Sequence, residues 1–436
     1  MIDRRGLLAA GAASGALLAA PAFAAERRIT FPKGFLWGAA TAGHQIEGNN
    51  TNSDVWFLEH VKPTVFAEPS ADADNSLELW PVDLDLVKSL GLSSYRFSLE
   101  WARIEPEPGL FSIAMLDHYK NIIDGCRARG IRPLVTYNHY TTPLWFAKQG
   151  GWLHADSPKL FARFCDRATR HLGAGISHAM TLNEPNIMRI LTYVLPPFVL
   201  DLQHKMLDAA AKEANVPKFI AGNAVNAEDV DAMTVNLIAG HRAARAAIKA
   251  VRPDLPVGFT LSMFDDQAAG ASTAKRDAAR KELYGAWLEV ARDDDFMGVQ
   301  NYERVLWGPE GRLPPAKGAI LNAAGGEVYA PSVANAVRYA FSQTRKPIMV
   351  TEHGVNTADD TIRARLIPEA LAELRKTIDE GVPLLGYVHW SLLDNFEWVG
   401  GFKQQLGLVA FDRTTFKRIP KPSAAVYATI ARANAL

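Results

Sequence analysis

Short runs rich in β-branched and aromatic residues alternate along the chain with segments whose apolar positions recur at helical spacing. Residues 35–42, 94–99, 131–138, 177–184, 256–263, 296–302, 347–352 and 384–392 read as strands. Residues 81–91, 115–130, 158–172, 234–251, 275–292, 332–344, 361–380 and 423–433 read as helices. Strands apolar on both faces, separated by amphipathic helices, mean a parallel sheet covered by helices. Eight such units predict an α/β fold of one kind, a single (β/α)8 TIM barrel with elaborated loops on its C-terminal face. Residues 186–229 and 303–331 read as irregular stretches after the fourth and sixth strands, on the face where barrel enzymes shape their substrate sites. No G-x-G-x-x-G or G-x-x-x-x-G-K-[ST] occurs, so nucleotide-binding alternatives lack their phosphate loops.

Composition narrows the function classes. In 436 residues, 47 Lys and Arg balance 47 Asp and Glu, which argues against a nucleic-acid partner. With 48% hydrophobic and 22% charged residues the chain is globular rather than disordered. Cys126 and Cys165 are the only cysteines, too few for a disulfide framework or a zinc site, and both read as small buried hydrophobes. The first 24 residues read as a targeting segment: Arg4-Arg5, then no charge until Glu26, with Ala22-Phe23-Ala24 as a small-x-small cleavage pattern. The paired arginines look like a twin-arginine export signal. Residues 1–24 are therefore expected to be a signal peptide and 25–436 one catalytic domain, periplasmic or secreted, with no membrane contact once the signal is removed. The rival reading of residues 1–24 is an uncleaved anchor, which its weakly hydrophobic Ala/Gly composition disfavours.

Polar groups collect at the strand C-termini. His44, Gln45 and Glu47 follow the first strand, and Arg96, Glu100 and Trp101 belong to the second. Asn138-His139-Tyr140 closes the third, Asn183-Glu184 the fourth, Gln300-Asn301-Tyr302 the sixth and Glu352-His353 the seventh. The eighth carries His389-Trp390 and runs on to Glu397-Trp398. In a barrel these ends converge on one pocket of carboxylates, amides, an imidazole and indoles. A sugar needs that mixture, with amides and carboxylates for its hydroxyls and a flat indole for its apolar ring face. Two carboxylates across a glycosidic bond supply hydrolysis, and about 5 Å between them gives the retaining version.

The motifs resemble glycoside hydrolase family 1, the β-glucosidase family. Its N-terminal signature is matched by Phe31-Pro32-Lys33-Gly34-Phe35-Leu36-Trp37-Gly38, running on to Gln45-Ile46-Glu47-Gly48. Tyr95-Arg96-Phe97-Ser98, Thr181-Leu182-Asn183-Glu184-Pro185-Asn186, Thr351-Glu352-His353-Gly354 and Trp390 to Trp398 follow in order. The resemblance implies that Glu352 is the nucleophile and Glu184 the general acid/base. It implies that Asn183 holds the hydroxyl beside the anomeric carbon, and that Arg96 and Tyr302 orient the nucleophile. Gln45, His139, Glu397 and Trp398 match the remaining glycone ligands, and Trp390 the platform under the ring. It also implies a small-molecule β-glycoside substrate and a reaction without cofactor or metal. The chain departs from the family pattern at His353 (usually Asn), at His139-Tyr140-Thr141 (usually His-Trp-Asp) and at Gln300-Asn301-Tyr302 (usually Asn-Tyr-Tyr), which leaves glycone and aglycone open. Elementary electrostatics separates the pair: an Arg beside the attacking carboxylate keeps it ionised, while a less polar setting and its partner's charge keep the donor protonated.

The bland readings concern packing. Trp390 and Trp398 could be core aromatics, and His44 and His139 satisfied structural histidines. His353 reads as lying behind the ligand contacts, and His389 as structural, since a period of two points it away from Trp390. Arg103, Glu105 and Glu107 read as a solvated loop. The enzyme alternative is a transglycosidase, in which a sugar or alcohol replaces water in the second step. A sugar-binding protein without turnover would be expected to lack one carboxylate, and both are present. The phospho-glycosidase pattern Ser-x-Lys-x-Tyr is not found over residues 401–407, and Glu397 would repel a phosphate, so an unphosphorylated glycone is expected. A nitrophenyl β-glucoside should be cleaved faster than its 6-phosphate; the reverse order of initial rates would reject this.

Overall fold

The computed structural model describes residues 29–436; the targeting segment read over residues 1–24 lies outside them. Eight parallel strands close into a barrel: β1 (Leu36–Ala40), β2 (Ser94–Ser98), β3 (Arg132–Asn138), β4 (His178–Asn183), β5 (Val257–Ser262), β6 (Met297–Asn301), β7 (Ile348–His353) and β8 (Leu384–Trp390). Neighbours in the barrel are neighbours in the chain, and β8 closes on β1 with Ala40 opposite Trp390. Every strand end lies within two residues of its sequence-based reading.

The strands read as continuously apolar because they are buried on both faces. Val135, Tyr137, Phe259, Leu261, Val299 and Val350 point out against the helices, while Leu36, Leu134, Met180, Met349, Val388 and Trp390 point into the barrel. The helix Val230–Val251 buries Met233, Leu237, Gly240, Ala244 and Ile248, one stripe at three- and four-residue spacing. Gly240 lets the ring of Trp152 approach; a Cβ there would lie 2.8 Å from it.

Three expectations are corrected. The helix read over residues 81–91 begins earlier, at Ser76, and runs to Ser89 with Pro81 inside it, because buried Ser76 donates to Asp83 Oδ2 at 2.7 Å and ties the first turn to the second. Residues 186–229 are not irregular: they hold helices Ile187–Val194 and Pro197–Glu213. The second buries only Met206, Leu207 and Ala210, a stripe too narrow to read, against a satellite cluster with Val55, Leu58 and Phe219. Residues 303–331 hold the hairpin Arg304–Gly308 and Gly311–Leu313, paired with Asp265–Ala268. Its strand Asp265–Ala268 looks polar because Asp266 is buried to accept from Trp307 Nε1 at 2.7 Å and from the Tyr284 hydroxyl at 3.0 Å.

The solvated-loop reading of Arg103 and Glu105 also fails, while Glu107 is exposed as expected. Glu105 is fully buried, accepts from Trp101 Nε1 and Gly109 N at 2.8 and 2.7 Å, and pairs with Arg163. Arg103 pairs with Glu47 at 2.8 Å. The partners Arg163 and Glu47 are more than fifty residues away in sequence, so nothing local announces them. Cys126 and Cys165 are free and buried. Among the described residues no helix is long and apolar enough to cross a membrane.

Candidate active site

Strict alternation along β7 would carry Glu352 out of the barrel, since Ile348 and Val350 point outward and Met349 inward. A bulge reverses this. Val350 pairs with Val299 and Glu352 with Gln300, so two steps on β7 match one on β6, and Glu352 turns inward. The same device operates on β4. Met180 pairs with Gly258 and Asn183 with Thr260, three steps against two, which leaves Leu182 outside and brings Asn183 inside. Glu184 follows at φ 40°, and Tyr140 and Trp398 also stand in left-handed backbone at φ 70° and 50°. Such non-glycine residues cost of order 1 kcal/mol each and persist where surrounding structure enforces them.

His139, Glu184, Tyr302, Glu352, Trp390, Glu397 and Trp398 line one cavity of about 410 Å³ at the C-terminal mouth. Both carboxylates therefore open into the same space. Arg96, Asn183 and Gln45 sit behind the lining, buried and hydrogen-bonded to it. Arg96 crosses the barrel floor, donating from Nη1 to Glu352 Oε1 and from Nη2 to Asn183 Oδ1, both at 2.6 Å. Tyr302 donates to Glu352 Oε2 at 2.6 Å. Asn183 Oδ1 also accepts from Gln300 Nε2 at 2.8 Å and Thr260 Oγ1 at 3.1 Å. Because guanidinium only donates, this fixes the amide: Asn183 Nδ2 donates to His139 Nε2 at 3.1 Å. His139 then carries its proton on Nδ1, which is buried without a protein partner. Burial and Arg96 hold this ring well below the usual histidine pKa, hence neutral.

On the other side, Glu397 accepts from Trp390 Nε1 at 3.1 Å and Gln45 Nε2 at 3.3 Å. Burial, with the Glu352 charge adding to it, pushes Glu397 up to about 8. His139 stacks on Trp390 at 5.6 Å, and His44 lies under Trp398 at 5.7 Å with its Nε2 2.8 Å from Glu59. His44 is thus a support for Trp398 rather than part of the lining. His353 is buried behind the cavity with Nδ1 2.8 Å from the Tyr387 hydroxyl, and His389 is buried facing Tyr387 and Tyr427, as read from sequence. The outer cavity is apolar on one side, from Ile187, Met188 and Leu191 to Val399, and carries Asn223, Asn322, Asn356 and Gln404. These residues come from the two loops expected to shape the site and from segments after β7 and β8.

The two central carboxylates differ. Burial and the Glu352 charge push Glu184 up to about 8, against hydrogen bonds from Tyr140 and Ser262. Burial raises Glu352 as well, opposed by Arg96 and Tyr302. Sequence reasoning did not single out Thr260 or Ser262. The signal was available: with Gly258 they form the inward, period-two face of β5. Among the described residues no cluster of three or more His, Cys, Asp or Glu is placed to hold a metal ion.

The family model of glycosyl hydrolase family 1 matches residues 27–278 and 328–436. The unmatched segment carries Gln300, Tyr302 and the added hairpin. The chain is 28% identical over 451 residues to beta-glucosidase A of Thermotoga maritima, covering 93% of this chain and 98% of the relative. It is 28% identical over 469 residues to human cytosolic beta-glucosidase, covering 94% and 99%. Among solved structures, beta-glycosidase BGL167 superposes with a TM-score of 0.87 at 42% identity, over 93% of this chain and 98% of that one. The Thermotoga maritima beta-glucosidase in complex with a methoxycarbonyl-substituted glucoimidazole gives 0.82 at 26%, over 93% and 99%.

Glu184 stays protonated below its raised pKa and ionises as pH rises through about 8. The Glu184 component of the buried-carboxyl infrared absorption, which overlaps that of Glu397, should therefore persist at pH 7, fade above pH 8 and be lost in the wild-type minus Glu184→Gln difference spectrum. Glu352→Gln removes the neighbouring charge and should move the fading of the Glu184 band to lower pH.

Proposed function

The chain belongs to glycosyl hydrolase family 1, and on that premise we infer that it is a retaining β-glycosidase acting on small-molecule β-glycosides. The observation that carries the residue roles is the unequal setting of two carboxylates in one cavity. Glu352 rests on a guanidinium and a phenol, which stabilise the ionised form needed for attack. Glu184 holds its proton at neutral pH and serves as general acid.

In the first step the Glu352 carboxylate forms a bond to the anomeric carbon as the glycosidic bond breaks, and the Glu184 proton goes to the departing oxygen. The ester removes the charge that had raised the Glu184 pKa. Glu184, now a carboxylate, takes a proton from water, whose oxygen displaces Glu352 from the same carbon on the opposite face. Two inversions give net retention. His139 Nδ1–H offers a sugar hydroxyl a donor, and Glu397 and the unpartnered Oε1 of buried Gln45 offer acceptors. Asn183 is held by Arg96 to present its amide near the anomeric carbon, and Trp390 supplies the flat surface under the ring. The apolar wall of Ile187, Met188 and Leu191 supports an aglycone with an apolar face.

Export belongs to the same proposal: Arg4-Arg5 and Ala22-Phe23-Ala24 support a twin-arginine signal cleaved after Ala24, and hence a periplasmic or secreted enzyme. Expressed with its own N-terminus in a twin-arginine-competent bacterium, the exported protein should begin at Ala25 by intact mass; an uncleaved cytoplasmic product would overturn this.

Proton NMR of nitrophenyl β-glucoside cleavage should show the β-anomer of the sugar first, before mutarotation. Glu352→Gln should reduce turnover by roughly 10⁴-fold or more, by loss of the nucleophile. Glu184→Gln should cost roughly 10²–10⁴-fold on alkyl glucosides, which need protonation, and far less on dinitrophenyl glucosides, which do not. First release of the α-anomer, or wild-type rates in both variants, would contradict the roles.

A further inference from the structure

Tyr140 stands where the family pattern has tryptophan, and its hydroxyl donates to Glu184 Oε2. Three observations fix it there. Its backbone is left-handed at φ 70° within a tight turn, in which Thr141 N donates to His139 O at 2.9 Å and Asn138 Nδ2 to Thr141 O at 2.8 Å. Its ring meets His139 edge-on at 5.0 Å and Trp398 at 5.2 Å. Its carbonyl oxygen lies against Gly222, where a Cβ would sit 1.8 Å away, so only glycine closes the turn from that side.

We propose that Tyr140 is a positioning residue for Glu184, holding one carboxyl oxygen so that the other carries the transferable proton, and stabilising the carboxylate left after transfer. The proposal rests on the acid/base reading of Glu184. In the first step the Glu184 O–H bond breaks and its proton goes to the departing oxygen; the phenol keeps its own proton, and its hydrogen bond becomes charge-assisted. In the second step Glu184 takes a proton from water, and the phenol again transfers nothing. The phenol is suited to this: burial and the Glu184 and Glu352 charges hold its pKa well above that of ordinary tyrosine, so it remains a donor throughout. Ser262 supplies a second hydrogen bond to Glu184 from β5. Facing the same cavity are Glu303, Glu352, Glu397, His139 and Tyr302, with Arg96 below them. All of these remain in a Tyr140→Phe variant, so a change in titration reports the lost hydroxyl.

A hydrogen bond to the ionised form lowers a carboxyl pKa, so removing it raises the pKa. Tyr140→Phe should therefore move the alkaline limb of kcat/KM upward by about one pH unit. At pH 7 it should cost about tenfold on an alkyl glucoside, whose leaving group needs the proton, and under threefold on a dinitrophenyl glucoside. An unmoved limb, or equal losses on both substrates, would overturn the proposal. If Tyr140→Phe does not fold, 3,5-difluorotyrosine at position 140 keeps the packing and is a stronger donor. It should move the limb downward, and an unmoved limb again overturns the idea. Glu184→Gln is the separate control: if it cleaves both substrates at wild-type rate, the acid/base reading itself has failed, whatever Tyr140→Phe shows.

Discussion

The guanidinium of Arg96 organises the mouth of the barrel. It is fully buried, reaches from β2 across the floor, and joins Glu352 on β7 to Asn183 on β4. Arginine suits the task because its planar fork places two N–H donors on two acceptors at once and stays charged. Removing one member of such a buried pair typically costs about 3–5 kcal/mol, because the other is left charged without a partner. The arrangement makes Glu352 and Asn183 interdependent, and through Asn183 it reaches His139, Gln300 and Thr260. One cation thereby sets the ionisation of one carboxylate, the orientation of one amide and the tautomer of one imidazole.

The second carboxylate is left without such a cation. Glu184 lies in the same buried space, facing the charge of Glu352, with a phenol and a serine as hydrogen-bonding neighbours. In a low-dielectric cavity this difference decides which group carries the proton. The pairing resembles a seesaw: while Glu352 is charged, Glu184 is held protonated, and neutralising the first frees the second to ionise. Glu397, also pushed up to about 8, shares the space, which ties its protonation to whatever hydroxyl donors a bound sugar brings.

Backbone irregularity does as much as side-chain chemistry. Two bulges, on β4 and β7, break the inward–outward alternation where Asn183 and Glu352 need to face the cavity. Three lining residues, Tyr140, Glu184 and Trp398, occupy left-handed backbone that ordinary residues avoid. A third register shift, between Ile348 and Val350 of β7 against Leu384 and Tyr387 of β8, lies deeper in the barrel, so irregularity is not confined to the site. The two bulges at the mouth are the ones that turn polar groups inward.

Sequence alone determined the eight-fold alternation, the strand positions to within two residues, and the identity of the polar groups gathered at the strand ends, because hydrophobic period and residue type are local properties. It also marked His389 as facing away from Trp390 and the two cysteines as buried. It misjudged Glu105 and Arg103, whose partners Arg163 and Glu47 are distant in the chain, and it missed the helix at Pro197, whose buried stripe is narrow. Only the tertiary structure decided that Glu352 faces inward, that Asn183 is held by three donors, and that the Tyr140 hydroxyl touches Glu184. Each of these depends on the register between strands and on contacts across the barrel. Those are fixed when the sheet closes, and no window of neighbouring residues contains them.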